Sequence, residues 1–77
     1  MNEYKNFDGN TVIRGCNVLL MLGEEEVEYL ISGTAEGDIG RGIMSCSEPI
    51  VEAILNKTVG DRVLFNDFYI DILKVWI

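Results

Sequence analysis

Apolar and polar positions divide the chain into five strand-like runs and one short helical pattern. A mostly apolar, branched run over residues 16–22 ends at Gly23-Glu24-Glu25-Glu26, and a second run occupies 27–32. Two such runs around a short polar segment predict a β-hairpin with a charged tip. Further runs over 62–65 and 68–77 flank Asn66-Asp67 and predict a second, closing hairpin.

The segment between the hairpins combines a glycine-rich loop with the one good helix signal. Residues 33–42 are too rich in glycine for a regular helix, so they predict a long, shaped loop before a short strand at 43–45. Ser47-Glu48-Pro49 then places a polar cap, an acidic group and a proline at a helix start. The apolar face that follows comprises Ile50, Val51, Ala53, Ile54 and Leu55. We predict a helix of about two turns that ends near Asn56.

This order of elements predicts an α+β fold, with an antiparallel β-sheet and a single short α-helix packed on one face. We assign residues 13–77 to the folded domain. Residues 1–12 are mostly polar, with isolated Tyr4 and Phe7, and are interpreted as an N-terminal arm that docks loosely or frays.

Length and charge restrict the function classes. A chain of 77 residues suffices for one domain, and an apolar fraction of 48% supplies a core. Six basic residues against thirteen acidic ones give a net charge of −7. Such a surface gains no counterion-release energy from phosphates, which argues against direct nucleic-acid binding. The same charge suits a protein partner with a basic face.

Localisation and redox state follow from two further features. No apolar run approaches the roughly 20 residues that span a bilayer, and the N-terminus lacks a signal-peptide pattern. We therefore predict a cytoplasmic protein that is not bound to a membrane. Cys16 and Cys46 have neither a CxxC spacing nor a histidine to complete a metal site, so we expect free thiols.

The chain lacks the residue patterns of an enzyme. There is no histidine, no nucleophile beside a base in a recognisable motif, and no phosphate-binding glycine pattern. Glu24, Glu25, Glu26 and Glu28 are acidic, but consecutive glutamates do not preorganise the octahedral geometry that Mg²⁺ requires. We predict no catalytic activity, no cofactor and no metal site.

The order of short motifs resembles a known family. Gly15-Cys16-Asn17-Val18 and Glu28-Tyr29-Leu30-Ile31-Ser32-Gly33 come first, followed by Ala35-Glu36-Gly37-Asp38 and Gly42-Ile43-Met44-Ser45. Pro49-Ile50, Ala53-Ile54-Leu55 and Val59-Gly60-Asp61-Arg62-Val63 complete the series. Together they resemble the C-terminal domain of the bacterial Gre transcript-cleavage factors, from residue 13 to 77. The resemblance implies an FKBP-like fold, a curved antiparallel sheet wrapped on one helix.

The resemblance also implies a binding site. In Gre factors the segment that leads into the helix grips the coiled-coil rim of the RNA polymerase secondary channel. The matching residues are Ser47, Glu48 and Pro49, with Ile50 beside them. Pro49 is retained, whereas Glu48 stands where the family has serine and Ser47 where it often has aspartate. Asp38 and Arg41 are second-rank candidates for partner binding. For Ser47, Glu48 and Pro49, the structural alternative is a plain helix cap. For the loop that carries Asp38 and Arg41, it is a connector whose glycines only permit positive φ.

Full Gre factors place carboxylates beside the polymerase's catalytic metal with an N-terminal coiled coil, each arm about 45 Å long for roughly 30 residues. Here about 14 residues precede the matched region, and as flexible chain they span on the order of 20 Å. We therefore expect a polymerase-binding regulator without transcript-cleavage ability.

Two alternative functions are a regulator with a different protein partner and a prolyl isomerase. The isomerase requires an aromatic-lined pocket, whereas Tyr29, Phe65, Phe68, Tyr69 and Trp76 equally suit core or rim positions.

Overall fold

A computed structural model describes residues 7–77 of the chain. They form one five-stranded sheet with the strand order β3-β2-β1-β5-β4, and one α-helix. In chain order the elements are β1 (Asn17–Leu22), β2 (Glu25–Ile31), a 3-10 turn (Ile39–Arg41), β3 (Ile43–Met44), α1 (Pro49–Ile54), β4 (Arg62–Phe65) and β5 (Phe68–Trp76). The predicted α+β fold, with one short helix on a single sheet, is confirmed.

Strand directions differ from the expectation at one edge of the sheet. β1 lies in the centre, antiparallel to β2 and β5, and β4 is antiparallel to β5. β3, however, runs parallel to β2, through the pairs Leu30↔Ile43 and Ile31↔Met44. The long loop 32–42 carries the chain back along the sheet before β3 begins, whereas a tight turn would have reversed its direction. The sheet is therefore mixed.

The turn of the first hairpin is tighter than the sequence indicated. Leu22 pairs with Glu25, so only Gly23 and Glu24 form the turn. Gly23 has a φ of 63°, which a two-residue hairpin turn favours because its twist matches that of the strands. The predicted tip over 23–26 is thus wrong for Glu25 and Glu26, which belong to β2. The predicted closing hairpin with its Asn66-Asp67 turn is confirmed.

A β-bulge interrupts the pairing between β1 and β5. Leu19 pairs with Lys74 but Leu20 pairs with Ile72, which leaves Leu73 as the extra residue. The bulge resets the alternation of side chains along β5, so Ile72 and Val75 are both buried. Beyond it, Lys74 and Trp76 lie on the face opposite the core.

The core lies between one face of the sheet and α1. Val51 and Ile54 of the helix are fully buried, while Ile50 and Leu55 are partly buried against the same cluster. The helix ends at Ile54, close to the predicted Asn56, because Leu55 leaves the helical conformation with a ψ of 137° and the Asn56 N–H donates to the Val12 carbonyl oxygen. The buried residues are Val12, Cys16, Val18, Leu20, Ile31, Met44, Val51, Ile54, Ile70, Ile72 and Val75.

Part of the predicted N-terminal arm is joined to the domain. Its first six residues lie outside the described part of the chain. Thr11 pairs with Thr58, and the fully buried Val12 donates from its N–H to the Lys57 carbonyl oxygen at 2.8 Å. The Asp8 carboxylate accepts hydrogen bonds from the Asn10 and Thr11 N–H groups, both at 2.8 Å. Residues 10–12 therefore pack as part of the fold.

Within residues 7–77, no helix has the length and apolar character that a membrane crossing requires.

Candidate protein-binding site

The segment that leads into α1 is shaped by two serines. The side-chain oxygens of Ser45 and Ser47 lie 2.8 Å apart, and the Ser47 N–H donates to Ser45 Oγ at 3.1 Å. Ser45 is only 8% exposed, and its carbonyl oxygen accepts the Glu48 N–H at 3.1 Å. These hydrogen bonds fix the turn at which the chain leaves β3 and begins the helix.

The N-terminus of α1 is not capped in the predicted way. Glu48 occupies the N-cap position and no side chain caps the helix by a hydrogen bond. The Ser47 hydroxyl is instead paired with Ser45, which contradicts its predicted role as the cap. Pro49 stands at the first helical position, as predicted, where its missing N–H costs no hydrogen bond. Ser47, Glu48 and Pro49 are exposed, and Ile50 is half-buried beside them.

Asp38 precedes the 3-10 turn, and Arg41 is its last residue. Asp38 and Ile43 exchange two backbone hydrogen bonds, of 2.7 and 2.9 Å, and the Arg41 N–H donates to the Asp38 carbonyl oxygen at 3.0 Å. Gly42 closes the turn with a φ of 77°. Both charged side chains are exposed, and neither forms an ion pair within the part of the chain that the structure describes. The turn is thus rigid while its charges are available.

Ile39, between these two residues, was missed by the sequence reasoning. Its side chain is 57% exposed, although its own carbonyl oxygen accepts the Gly42 N–H and the Asp38 carbonyl oxygen before it accepts the Arg41 N–H. It is the one large apolar residue in the polar loop 33–42, and that isolation was the signal that could have identified it. An exposed apolar side chain flanked by an anion and a cation is a typical contact point for another protein.

A close backbone approach brings the two segments together. A Cβ added at Gly37 would lie 2.5 Å from the Ser45 nitrogen and 3.1 Å from the Ile43 carbonyl oxygen. The Cys46 N–H also donates to the Thr34 carbonyl oxygen at 3.1 Å. The loop therefore lies directly against the residues that lead into α1. Under the name helix-start surface we group the exposed Asp38, Ile39 and Arg41 of this loop with the exposed Ser47, Glu48 and Pro49 and the half-buried Ile50 beyond β3.

The helix-start surface carries two carboxylates, one guanidinium and one exposed apolar side chain. No side-chain hydrogen bond links Asp38 or Arg41 to residues 47–49 among the described residues. The surface is therefore suited to contacts with a partner, whereas the fixed arrangement of polar atoms around a bound small molecule is not built into it.

Other candidate chemistry is dispersed. Among residues 7–77, no three Asp, Glu or Cys side chains are grouped so that they could hold a metal ion. The aromatic residues lie on both faces of the sheet: Phe65 and Phe68 form an edge-to-face pair at 5.9 Å beside the core, whereas Tyr69 and Trp76 lie on the opposite face. Tyr29 is partly buried on the same side as Phe65 and Phe68, so the five aromatic residues do not all share one face of the sheet.

Sequence comparison identifies the family. Residues 8–76 match the family described as "Transcription elongation factor, GreA/GreB, C-term". The chain belongs to this GreA/GreB C-terminal domain family. It is 42% identical over 82 residues to the transcription elongation factor GreA of Shouchella clausii, covering 97% of this chain and 51% of that protein. It is 50% identical over 57 residues to GreA of Rickettsia felis, covering 71% of this chain and 35% of that protein. The chain thus spans about half the length of these relatives, or less.

The fold is shared with a solved member of the group. The structure of the prokaryotic transcription elongation factor GreA/GreB from Nitrosomonas europaea superposes with a TM-score of 0.77. The two sequences are 16% identical, and the match covers 95% of this chain and 66% of the other. This likeness supports the architecture, while the family assignment stands on the sequence matches.

Proposed function

We propose that this domain binds bacterial RNA polymerase at the coiled-coil rim of the secondary channel, through the helix-start surface, and that by itself it does not stimulate transcript cleavage. In this role it is a cytoplasmic transcription regulator and not an enzyme. The assignment joins the family membership of the chain to the surface that its fold presents.

One observation supports the proposal: the contact between Gly37 and Ser45 packs the loop that carries Asp38 and Arg41 against the segment that leads to Ser47, Glu48 and Pro49. Two exposed segments that were selected independently from the sequence are thereby joined by one backbone contact. Their carboxylates, together with a net charge of −7, favour a partner with a basic face.

The expected lack of cleavage activity follows from how far the helix of this domain can extend into the channel. The α-helix in the described part of the chain has six residues and is about 9 Å long. A helix of this length can contact the outside of a channel, but it cannot place a carboxylate deep inside it. Bound alone, the domain occupies a site on the rim and supplies no metal-binding group to the active centre.

A competition assay on backtracked polymerase tests this proposal. We expect the domain alone to leave intrinsic transcript cleavage unchanged. Increasing amounts of it should progressively suppress the cleavage that a full-length Gre factor stimulates. Glu48→Lys should weaken this suppression about tenfold, because a charge that attracts the partner becomes one that repels it.

Glu25→Lys is the matched control, since Glu25 is also an exposed glutamate but lies at the far hairpin. It changes the net charge equally and should leave the suppression within about threefold of the wild type. Stimulation of cleavage by the domain, or no competition at a large excess over the full-length factor, contradicts the proposal. Equal effects of the two variants contradict the assignment to the helix-start surface.

A further inference from the structure

The sheet has a second face that no element of the described chain covers. Strand register assigns residues to it, because alternate positions point away from the core and cross-strand partners share a face. We call it the outer face. Its residues are Ile43 of β3, Glu26, Glu28 and Leu30 of β2, Asn17, Leu19 and Met21 of β1, Tyr69, Asp71, Lys74 and Trp76 of β5, and Arg62 and Leu64 of β4; the bulged Leu73 of β5 is also exposed.

This face is unusually apolar for one that meets water. Leu64 and Tyr69 are directly opposed across β4 and β5 and are 63% and 50% exposed. Leu30 and Leu73 are also exposed, and Leu19, Met21 and Trp76 are half-buried. A sheet with one solvated face normally alternates apolar residues inward with polar residues outward. Here Leu19 and Met21 form an apolar strip along β1, with further apolar residues on the other strands, and such a pattern marks an interaction surface.

The centre of the strip has a defined border on each side. On β1, Leu19 is flanked by Glu28 of β2 and Lys74 of β5. Met21 is flanked in the same way by Glu26 and Asp71. The apolar positions of β1 therefore form the floor of a shallow channel that runs along the strand between two rows of charged side chains.

The charged side chains of β5 and β2 differ in whether they have interaction partners. On the β5 side, Arg62 donates to both Asp71 carboxylate oxygens, at 2.7 and 3.1 Å, and its guanidinium carbon lies 5.1 Å from the Tyr69 ring centroid. Lys74 Nζ lies 5.3 Å from the Trp76 ring centroid. On the β2 side, the side chains of Glu26 and Glu28 are exposed and have no hydrogen bond or ion pair within residues 7–77. Since the Lys74 ammonium has no ion pair there either, the β2 border carries unpaired negative charge and the β5 border carries one unpaired positive charge.

We infer that the outer face is a second docking surface, which binds an amphipathic α-helix of a partner protein that carries Lys or Arg along one border of its apolar stripe. Glu26 and Glu28 are two residues apart on a strand, a separation of about 6.8 Å. Basic residues at positions i and i+4 of a helix rise by about 6.0 Å and can face both carboxylates at once. Leu or Ile side chains on the adjoining helix face then cover Leu19 and Met21.

Charge favours this occupant over a second copy of the chain. Two copies that met through their outer faces would bring together two molecules of net charge −7. Net charges of like sign repel each other, which opposes self-association. A basic helix instead brings positive charge to the unpaired Glu26 and Glu28 carboxylates. This inference is independent of the proposed function, because it concerns another surface and needs no polymerase.

The chain carries its own reporter for the test. Trp76 is the single tryptophan of the sequence and lies on the outer face. The probe is a synthetic amphipathic peptide of about 18 residues, or roughly 27 Å as a helix, with Leu on one face and Lys along one border. We expect saturable binding that changes Trp76 emission and shifts the backbone amide resonances of β1 and β2. The same peptide with Glu in place of Lys, and a scrambled sequence of equal composition, should not bind.

Paired variants locate the site. Glu26→Lys/Glu28→Lys should weaken binding of the Lys peptide at least about tenfold and allow the Glu peptide to bind. Glu24→Lys/Glu25→Lys changes the net charge equally but leaves the border intact, so it should alter the affinity less than about threefold. Leu19→Gln should weaken binding more than Ile39→Gln, since only Leu19 lies on the floor of the channel that the helix covers.

Three results would overturn the inference. The first is no saturable binding of the Lys peptide; the second is binding with resonance shifts confined to residues away from the outer face. The third is equal weakening by both double-lysine variants, which would show that net charge alone drives the interaction. Sedimentation of the free domain supplies an independent check, because a dimer that buries Trp76 would assign the face to a second copy instead.

Discussion

Gly37 and Ser45 lie in direct backbone contact, so close that any side chain at Gly37 would collide with the Ser45 nitrogen at 2.5 Å. Ser45 in turn positions Ser47 through two hydrogen bonds. A glycine in the loop thereby controls the geometry of the helix start, several residues away in sequence. The proposed binding surface depends on this contact, because it packs the loop that carries Asp38 and Arg41 against the segment that leads to Ser47.

Replacing Gly37 therefore tests the architecture of the surface. Gly37→Ala should destabilise the domain by about 1–3 kcal/mol, the usual range for an overpacked site whose backbone must shift. It should also weaken partner binding through displacement of Ser45. Gly33→Ala is the control, since a Cβ there meets nothing within 4 Å. Urea unfolding of both variants measures the difference, and equal stabilities would contradict the close contact.

Two isoleucines of α1 that differ in burial test how the helix packs on the core. Ile54→Ala should reduce the free energy of unfolding by about 2–5 kcal/mol, because Ile54 is fully buried and its removal leaves a cavity. Ile50→Ala should cost clearly less, because Ile50 is only partly buried. Both changes improve helix propensity slightly, so the difference reports packing. If Ile50 proved the more costly of the two, α1 would be rotated relative to the sheet.

The two cysteines should differ in reactivity. Both are free, but Cys16 is fully buried and Cys46 is half-buried. Burial also raises the pKa of the Cys16 thiol, which lowers the fraction of reactive thiolate. An aromatic disulfide reagent should label Cys46 in the native protein and label Cys16 only upon unfolding. Rapid native labelling of Cys16, or fewer than two thiols in denaturant, contradicts this expectation.

Acid stability should depend on Asp61. Its carboxylate accepts hydrogen bonds from the Thr58 N–H at 2.8 Å and the Thr58 hydroxyl at 3.1 Å, and these lower the pKa of Asp61. A carboxyl whose pKa is lowered by folding stabilises the native state above its unfolded pKa, about 4, and loses that contribution as the pH falls through the folded value. Asp61→Asn should therefore be less stable than wild type at pH 7, with a difference that shrinks below about pH 4.

Asp67→Asn is the control for this pH series. Asp67 is exposed in the turn between β4 and β5, and its side chain accepts no hydrogen bond in the described structure. Its thermal unfolding should follow the wild type across the pH range. A constant difference between Asp61→Asn and wild type at all pH values would show that the hydrogen bonds do not depend on the charge.

Local signals allowed much of the fold to be predicted. Pro49 marked the start of the helix, and Asn66-Asp67 marked the closing turn; each acts through its own backbone preferences. The bulge at Leu73 could not be predicted, because it arises where β5 adjusts its pairing to β1. The parallel direction of β3 likewise depends on the path of the whole loop 32–42. Such features are set by contacts between segments that are distant in sequence.

For the candidate site as well, local sequence signals indicated some residues, whereas the position of others depends on contacts between distant segments. Glu48 and Pro49 follow from the sequence pattern and the family resemblance, whereas the neighbouring position of Ile39 depends on how the loop folds against β3. Ser47 was assigned to the helix cap by a local rule, but its hydroxyl is paired with Ser45. Sequence patterns thus indicated the residues, and the packing of Gly37 determined how they are arranged.

Direct binding to purified bacterial core RNA polymerase tests the central claim most directly. Labelled domain is titrated with wild-type polymerase and with polymerase whose secondary-channel rim coiled coil has been truncated. We expect saturable binding to the intact enzyme, weakened by salt because an acidic surface meets a basic one, and loss of at least about tenfold in affinity on truncation. Equal affinity for the two enzymes, or no binding to either, would contradict the assignment of this domain to the rim.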